Sequence, residues 1–231
     1  MQVITSDVKL IFRDPTLRVF MLLLIALLIV VVVFLPSLVV AFPILEPLTL
    51  YILMGATVQA SILFGFIYSM VLIDEKETAV AKVYGVLPVE KMSFLGLRLL
   101  PPVAFCILIT FCLLEFQTFY KLSSLMSLLI SFLIAFLTPL LILGVASFSK
   151  NKMEGMTWFK IFQLLVTLPL LAYLVPKYGR LFGVLPSCWG FEVLREVVEE
   201  GYWHLPFSIG LLHSVVLLYF LMKYFLSKHY K

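Results

Sequence analysis

The chain has 231 residues, of which 63% are hydrophobic and 13% charged, with a mean hydropathy of +1.13; an ordinary soluble domain carries roughly a quarter charged residues. That composition excludes a water-soluble globular protein. The net charge of +4 comes without a clustered basic face, so a nucleic-acid partner is not expected.

Residues 1–16 place Val3, Ile4, Val8, Leu10, Ile11 and Phe12 among Asp7, Lys9, Arg13 and Asp14, which suggests an amphipathic helix lying at the membrane surface until Pro15 breaks it. Uncharged runs then recur along the whole chain. About twenty residues of helix cross roughly 30 Å of hydrocarbon, and six spans are predicted at 19–41, 48–73, 93–114, 122–149, 160–176 and 205–226. The fold class is therefore an all-α integral membrane protein of six transmembrane helices. An alternating barrel pattern is absent. The first uncharged run, Val19 to Leu45, is too long for a signal peptide and reads as an uncleaved anchor.

With the N-terminus inside, Lys9, Arg13, Arg18, Lys76, Lys82, Lys91, Arg98, Lys150, Lys152, Lys160, Lys223, Lys228 and Lys231 face the cytoplasm, thirteen of the seventeen Lys and Arg residues. The outer side receives Lys121, Lys177, Arg180 and Arg195 together with Glu46, Glu115, Glu192, Glu196, Glu199 and Glu200. The positive-inside rule thus puts both termini in the cytoplasm.

After span two, residues 74–91 carry Asp74, Glu75 and Glu77 in what reads as the first turn of a short helix, where acids complement the helix dipole. Val80, Val83, Tyr84 and Leu87 draw one apolar stripe, and Gly85 and Pro88 mark its stop. Such a capped amphipathic helix offers a surface for docking. Between spans five and six, the eleven residues from Leu181 to Phe191 are too few to cross and read as a re-entrant segment. Pro186 and Gly190 are expected to bend it, while Trp189, Tyr202 and Trp203 suit the headgroup level. The outer re-entrant region as a whole is 177–204.

Motifs for chemistry are missing. There is no G-x-x-x-x-G-K-[ST] loop, so any ATP hydrolysis belongs to a partner chain, and no H-E-x-x-H or G-x-S-x-G signature, so an enzyme is not expected. Cys106, Cys112 and Cys188 read as small buried hydrophobes. His213, inside span six, has no converging ligand in the sequence, and no metal site is expected. The spans show neither the intramembrane charges nor the repeated broken helices of a secondary transporter. Among their uncharged polar residues are Thr57 and Gln59 in span two and Gln163 and Thr167 in span five; these either line a path for an amphipathic solute or bond between helices.

Three stretches carry a resemblance: EKETAVAKVYGVLPVEKMSF after span two, KLIFRDPTLRVF before span one, and LFGVLPSCWGFEVLREVVEEG before span six. With the six-span layout they resemble the ABC-2 family of ABC-transporter permeases, and most of all its small bacterial drug-export members. The resemblance extends over nearly the whole chain and implies that residues 1–231 form a single ABC-2 type transmembrane domain. It implies a multi-pass protein of the bacterial inner membrane, a dimer with a second permease copy or homologue, and a separate ABC ATPase subunit that holds ATP and Mg, with no cofactor in this chain. The helix within 74–91 would then be the coupling helix, with Glu75, Lys76, Glu77, Lys82 and Tyr84 contacting the ATPase. Lys150, Asn151, Lys152 and Glu154 would form a second, smaller contact. The expected function is export of a small amphipathic, drug-like or lipid-like substrate out of the cell, with membrane lipid as a further partner. Two alternatives stay open: a haem-exporter-type permease of cytochrome maturation, and a membrane scaffold or immunity protein that moves no solute.

Overall fold

The computed structural model describes residues 11–78, 80, 90–171 and 181–229. Among these, helices are joined by short connections and there is no strand. The first ten residues of the expected surface helix, most of the expected coupling helix including Lys82 and Tyr84, and the end of span five with Lys177 and Arg180 lie outside the described residues.

The first helix, α1 (Pro15–Ile29), starts because Asp14 and Pro15 form a start signal: the Asp14 carboxylate accepts from the N–H groups of Thr16 at 2.8 Å and Leu17 at 3.3 Å, and proline fits the first helical position. A π-turn at Val30–Phe34 joins it to α2 (Leu35–Ala41). Pro36 explains the turn. Without an N–H it cannot continue the ladder, and the Leu35 N–H reaches back five residues to the Val30 carbonyl. A 3-10 turn, Pro43–Leu48, leads into α3 (Thr49–Glu77), and α4 follows at Lys91–Phe116.

Helices α5 (Ser124–Ala135) and α6 (Leu137–Phe148) occupy the expected fourth span, interrupted at Phe136 three residues before Pro139. Next come α7 (Lys152–Thr167) with a 3-10 extension to Leu170, α8 (Pro186–Val198) and α9 (His204–His229).

Five segments are long and apolar enough to cross a membrane: Pro15–Ala41, Pro43–Glu77, Lys91–Phe116, Ser124–Phe148 and His204–Lys228. Five of the six expected spans are thus present as such helices, and α7 falls where the remaining one was expected. Burial divides them. The most apolar window of α3 is 72% buried and that of α5–α6 is 78% buried, whereas α1–α2 and α9 reach only 17% each. The former are the centre of the bundle, and the latter turn exposed side chains such as Leu22, Val33, Leu212 and Phe220 outward.

Small residues set the close approaches. A Cβ on Gly65 would stand 2.8 Å from Leu141 Cβ, which holds α6 against the middle of α3. A Cβ on Gly155 would meet Ile73 Cδ1 at 2.6 Å, and Gly55 faces Leu170 Cδ1 at 3.6 Å. Helix α7 and its extension therefore run antiparallel to α3. From Gly55 to Ile73 is a rise of about 27 Å at 1.5 Å per residue, so this pair extends across most of the bundle.

One expectation needs correcting here. Gly190 does not bend the chain: it lies inside the unbroken helix α8, and its missing side chain admits Ile134 Cγ1 at 3.0 Å from where a Cβ would stand. Pro186 occupies the first turn of that helix. Trp189 is packed inward, against Gly210 of α9, and its indole N–H donates to the Gly183 carbonyl at 3.0 Å.

Candidate functional site

The charged end of α3 is tied to three neighbouring segments. Glu75 is 7% exposed and Arg98 of α4 is 4% exposed. The guanidinium donates to both carboxylate oxygens, at 2.7 and 2.8 Å, a bidentate pair in the geometry that favours arginine. The pair ties the end of α3 to α4. Glu75, expected at the ATPase surface, is thereby buried and turned to Arg98. Arg98 also corrects the expectation of spans free of charge. It stands within α4, and a lone ionisable group in an apolar run is the signal that marks it.

Lys76 turns the other way. Its ammonium donates to the carbonyls of Ala146 and Ser149, the latter at 3.1 Å, at the C-terminal end of α6. A cation there satisfies otherwise orphaned carbonyls and complements the helix dipole.

The expected second contact folds onto the same place. Asn151 caps α7, its side-chain oxygen accepting from the Glu154 N–H at 2.9 Å, and the Glu154 carboxylate accepts from the Lys150 N–H at 2.9 Å. Glu77 accepts from the Lys152 N–H at 2.8 Å, and the Lys152 ammonium pairs with Asp74. Hydrogen bonding to Asp74 holds the Lys152 ammonium above its usual pKa of 10.5, against a smaller opposing effect of burial and with the charges of Asp74, Glu77 and Asp14 adding to the rise. Arg13, Asp14 and Pro15 share a small polar pocket with Asp74 and Lys152. The stretch before α1, the end of α3 and the α6–α7 connection thus converge. Sequence reasoning paired neither Asp74 with Lys152 nor the Arg13–Pro15 stretch with either. Of the expected contact residues, Glu77 and Lys150 are exposed, as is Asn151; Lys76, Lys152 and Glu154 are half-buried.

The uncharged polar residues of the spans are arranged differently. Thr57 is fully buried and its hydroxyl donates to the Met54 carbonyl at 2.7 Å, within its own helix. The Thr167 hydroxyl likewise donates to the carbonyls of Gln163 at 3.1 Å and Leu164 at 3.2 Å. Gln59 and Gln163 are half-buried. From the facing of Gly55 with Leu170 and of Gly155 with Ile73, Gln59 and Thr167 stand at about the same depth on two adjoining helices. None of the four lines either of two apolar pockets, one beside α1 and one beside α8. The helices are crossed elsewhere by Ser61, which donates to the Ile134 carbonyl at 2.9 Å and touches Cys106 Sγ at 3.1 Å. His213 is half-buried, and no group of three or more His, Cys, Asp or Glu suited to a metal occurs among the described residues.

A family model described as "Fluoroquinolones export permease protein Rv2686c-like" matches residues 7–222, nearly the whole chain. No curated protein and no solved structure matches.

Proposed function

The chain belongs to the Rv2686c-like family of fluoroquinolone export permeases, an ABC-2 type permease family, and from that membership we propose that it is the membrane subunit of an ATP-driven exporter of the inner membrane. In this reading it dimerises and receives its energy from a separate ATPase below the end that holds Asp74 and Lys152. Its substrate is small and amphipathic, of the drug-like kind named for the family. ATP and Mg belong to the partner.

The observation that carries this reading is the convergence of the end of α3 and the α6–α7 connection, remote in sequence, into one braced surface. Glu77, Lys150 and Asn151 are exposed on it, while Glu75–Arg98, Asp74–Lys152 and Lys76 lock its supports to α3, α4, α6 and α7. A surface that transmits force from an ATPase must move as a unit with the helices behind it. A surface whose supports are joined to α3, α4, α6 and α7 by charge-assisted bonds has that property.

Six crossings are favoured by the direction of the helices. Phe148, at the end of α6, lies 5.7 Å from the Tyr224 ring near the end of α9, and Asp14, before α1, shares a pocket with Asp74. Both chain ends therefore approach the bundle at the same end. Five crossings would separate them, so α7 supplies the sixth, and α8 enters and leaves from the outer side as a re-entrant helix. Thr57, Gln59, Gln163 and Thr167 are proposed to edge the substrate path along the α3–α7 seam.

The test is recovery of the tagged chain from gently solubilised native membranes, with an ATPase assay of what accompanies it. Co-recovery of a soluble ATPase, lost in the exposed charge-reversed variants Glu77→Lys and Lys150→Glu while the chain's elution profile is unchanged, is the expected result. Recovery of an intact chain with no ATPase would move the assignment to a scaffold that transports nothing.

A further inference from the structure

Between α6, α7, α8 and α9 lies an apolar cavity of about 150 Å³, lined by Leu137, Leu141, Phe162, Val166, Leu217 and Leu221 among others. It lies level with Gly65 at the middle of α3, on which Leu141 packs, and opens to the surface of the bundle past Leu165, 39% exposed. Among its lining residues Ser187 alone has a polar side chain. That side chain is 1% exposed, and its hydroxyl has no hydrogen-bond partner.

The local sequence explains why the hydroxyl is left over. Ser187 is the second residue of α8, after Pro186, and the residue before the helix is Leu185, which caps nothing. No side chain caps the helix, and its first turn borders the cavity through Pro186 and Ser187, while the Cys188 N–H is met by the Leu185 carbonyl at 3.1 Å. A buried hydroxyl without a partner is costly, and native structures rarely keep one unless water or a ligand meets it. A water needs two to four polar partners, and these walls supply Ser187 almost alone, whereas an apolar cavity of about this volume is known to hold a benzene-sized molecule.

We propose that this cavity is a binding site for a ring-sized apolar group bearing one carbonyl, whose oxygen accepts from the Ser187 hydroxyl at the N-terminus of α8. The pocket supplies what such sites require: apolar walls that desolvate the ring and one convergent donor that fixes its orientation. A neutral carbonyl suits it better than a carboxylate, because no cation lines the walls to compensate a buried charge. The site is distinct from the α3–α7 seam and from the charged end of the bundle, and its occupancy does not depend on the exporter assignment.

Binding is therefore read without any ATPase, on the purified full chain in lipid nanodiscs, by fluorine NMR with two isosteric probes. These are 4-fluoroacetophenone, which has the carbonyl, and 4-fluoro-α-methylstyrene, in which a methylene group replaces the carbonyl oxygen. The wild type is expected to bind the ketone saturably and about tenfold more tightly than the hydrocarbon, the worth of one net hydrogen bond. Ser187→Ala should bring the ketone down to the hydrocarbon's affinity and leave the hydrocarbon unchanged, and Leu217→Trp should abolish saturable binding of both. Ser187→Ala removes a hydroxyl with no partner, so its unfolding midpoint should match or exceed the wild type's. That comparison decides the matter even if the tryptophan variant does not fold. Equal affinity for the two probes, with no response to Ser187→Ala, would assign the cavity to lipid chains and overturn the proposal. Non-saturable uptake identical in all variants would overturn it as well.

Discussion

At the scale of single residues, Glu75–Arg98 is the feature with the largest consequence. From Met92 to Leu114 the chain is uncharged except for Arg98, and a buried ion pair is stable only while both members and their bonds are present. Removing one partner leaves an uncompensated charge at a cost of about 3–5 kcal/mol, whereas replacing both by apolar residues of similar volume is often neutral. Arg98→Ala should lower unfolding stability by that amount in micelles, and Glu75→Met with Arg98→Met should recover most of it. Recovery of ATPase binding should be incomplete in the double variant, because α3 and α4 are then no longer clamped together. Full ATPase association in the stable double variant would show that the pair serves folding alone. Lys152 responds to pH in a different range. Its raised pKa means that its contribution is complete below the unfolded value near 10.5 and fades only as pH rises through the higher folded value. ATPase association should accordingly be flat between about pH 6 and 9 as far as this pair is concerned, and a fall within that window would place control elsewhere. Lys152 is partly exposed, which limits the pair to about 1 kcal/mol or less.

At the scale of elements, the docking of α7 on α3 is a matter of glycine placement. Its first turn lies so close to the end of α3 that any Cβ at position 155 would overlap Ile73 Cδ1 at 2.6 Å and crowd Met70 Cε at 3.1 Å. The phenylalanines continue the seam: Phe159 of α7 lies 4.8 Å from Phe66, which lies 4.5 Å from Phe20 of α1. Gly155→Ala should therefore destabilise by about 1–3 kcal/mol through overpacking and shift the Lys150–Glu154 surface relative to Glu77. Gly96 in α4 is the control, since no atom stands within 4 Å of where its Cβ would be. Gly96→Ala should be neutral or stabilise by up to about 1 kcal/mol, as alanine does in a helix interior. Thermal unfolding of the two variants in the same detergent separates these outcomes; equal midpoints would mean that the bundle yields at α7 and that the seam is loose.

At the scale of the molecule, what the sequence disclosed follows the reach of each physical signal. Long uncharged runs announce helices in lipid, so α1–α2, α3, α4, α5–α6 and α9 were readable to within a few residues at most ends. Pro15, read as the break that ends a surface helix, also begins α1 with Asp14 as its cap, four residues before the expected span. The Glu75–Arg98 and Asp74–Lys152 pairs were not readable as pairs, because each joins residues far apart in sequence, and composition says nothing of which face meets which. Ser187 escaped notice for a related reason: a serine near a proline is an ordinary helix start until the surrounding walls prove apolar. Helix α7 is the intermediate case. Lys152, Glu154 and Lys160 dilute its hydropathy, yet its path along α3 takes it from the Asp74 end of the bundle to Gly55. The chain is at the end of the bundle opposite Asp74 when α9 begins, and no other element between Phe148 and His204 makes that passage among the described residues. Single cysteines at two exposed positions test the crossing directly, Lys150→Cys and Leu181→Cys, placed in a background with Cys112 and Cys188 replaced by alanine. With a membrane-impermeant maleimide applied to intact cells, Leu181→Cys should label and Lys150→Cys should label only after the membrane is opened. Labelling of both from the same side would mean that α7 lies along the membrane without crossing it. The two chain ends would then fall on opposite sides, and the six-crossing architecture would have to be given up together with the placement of Glu77 and Lys150 beneath the same ATPase.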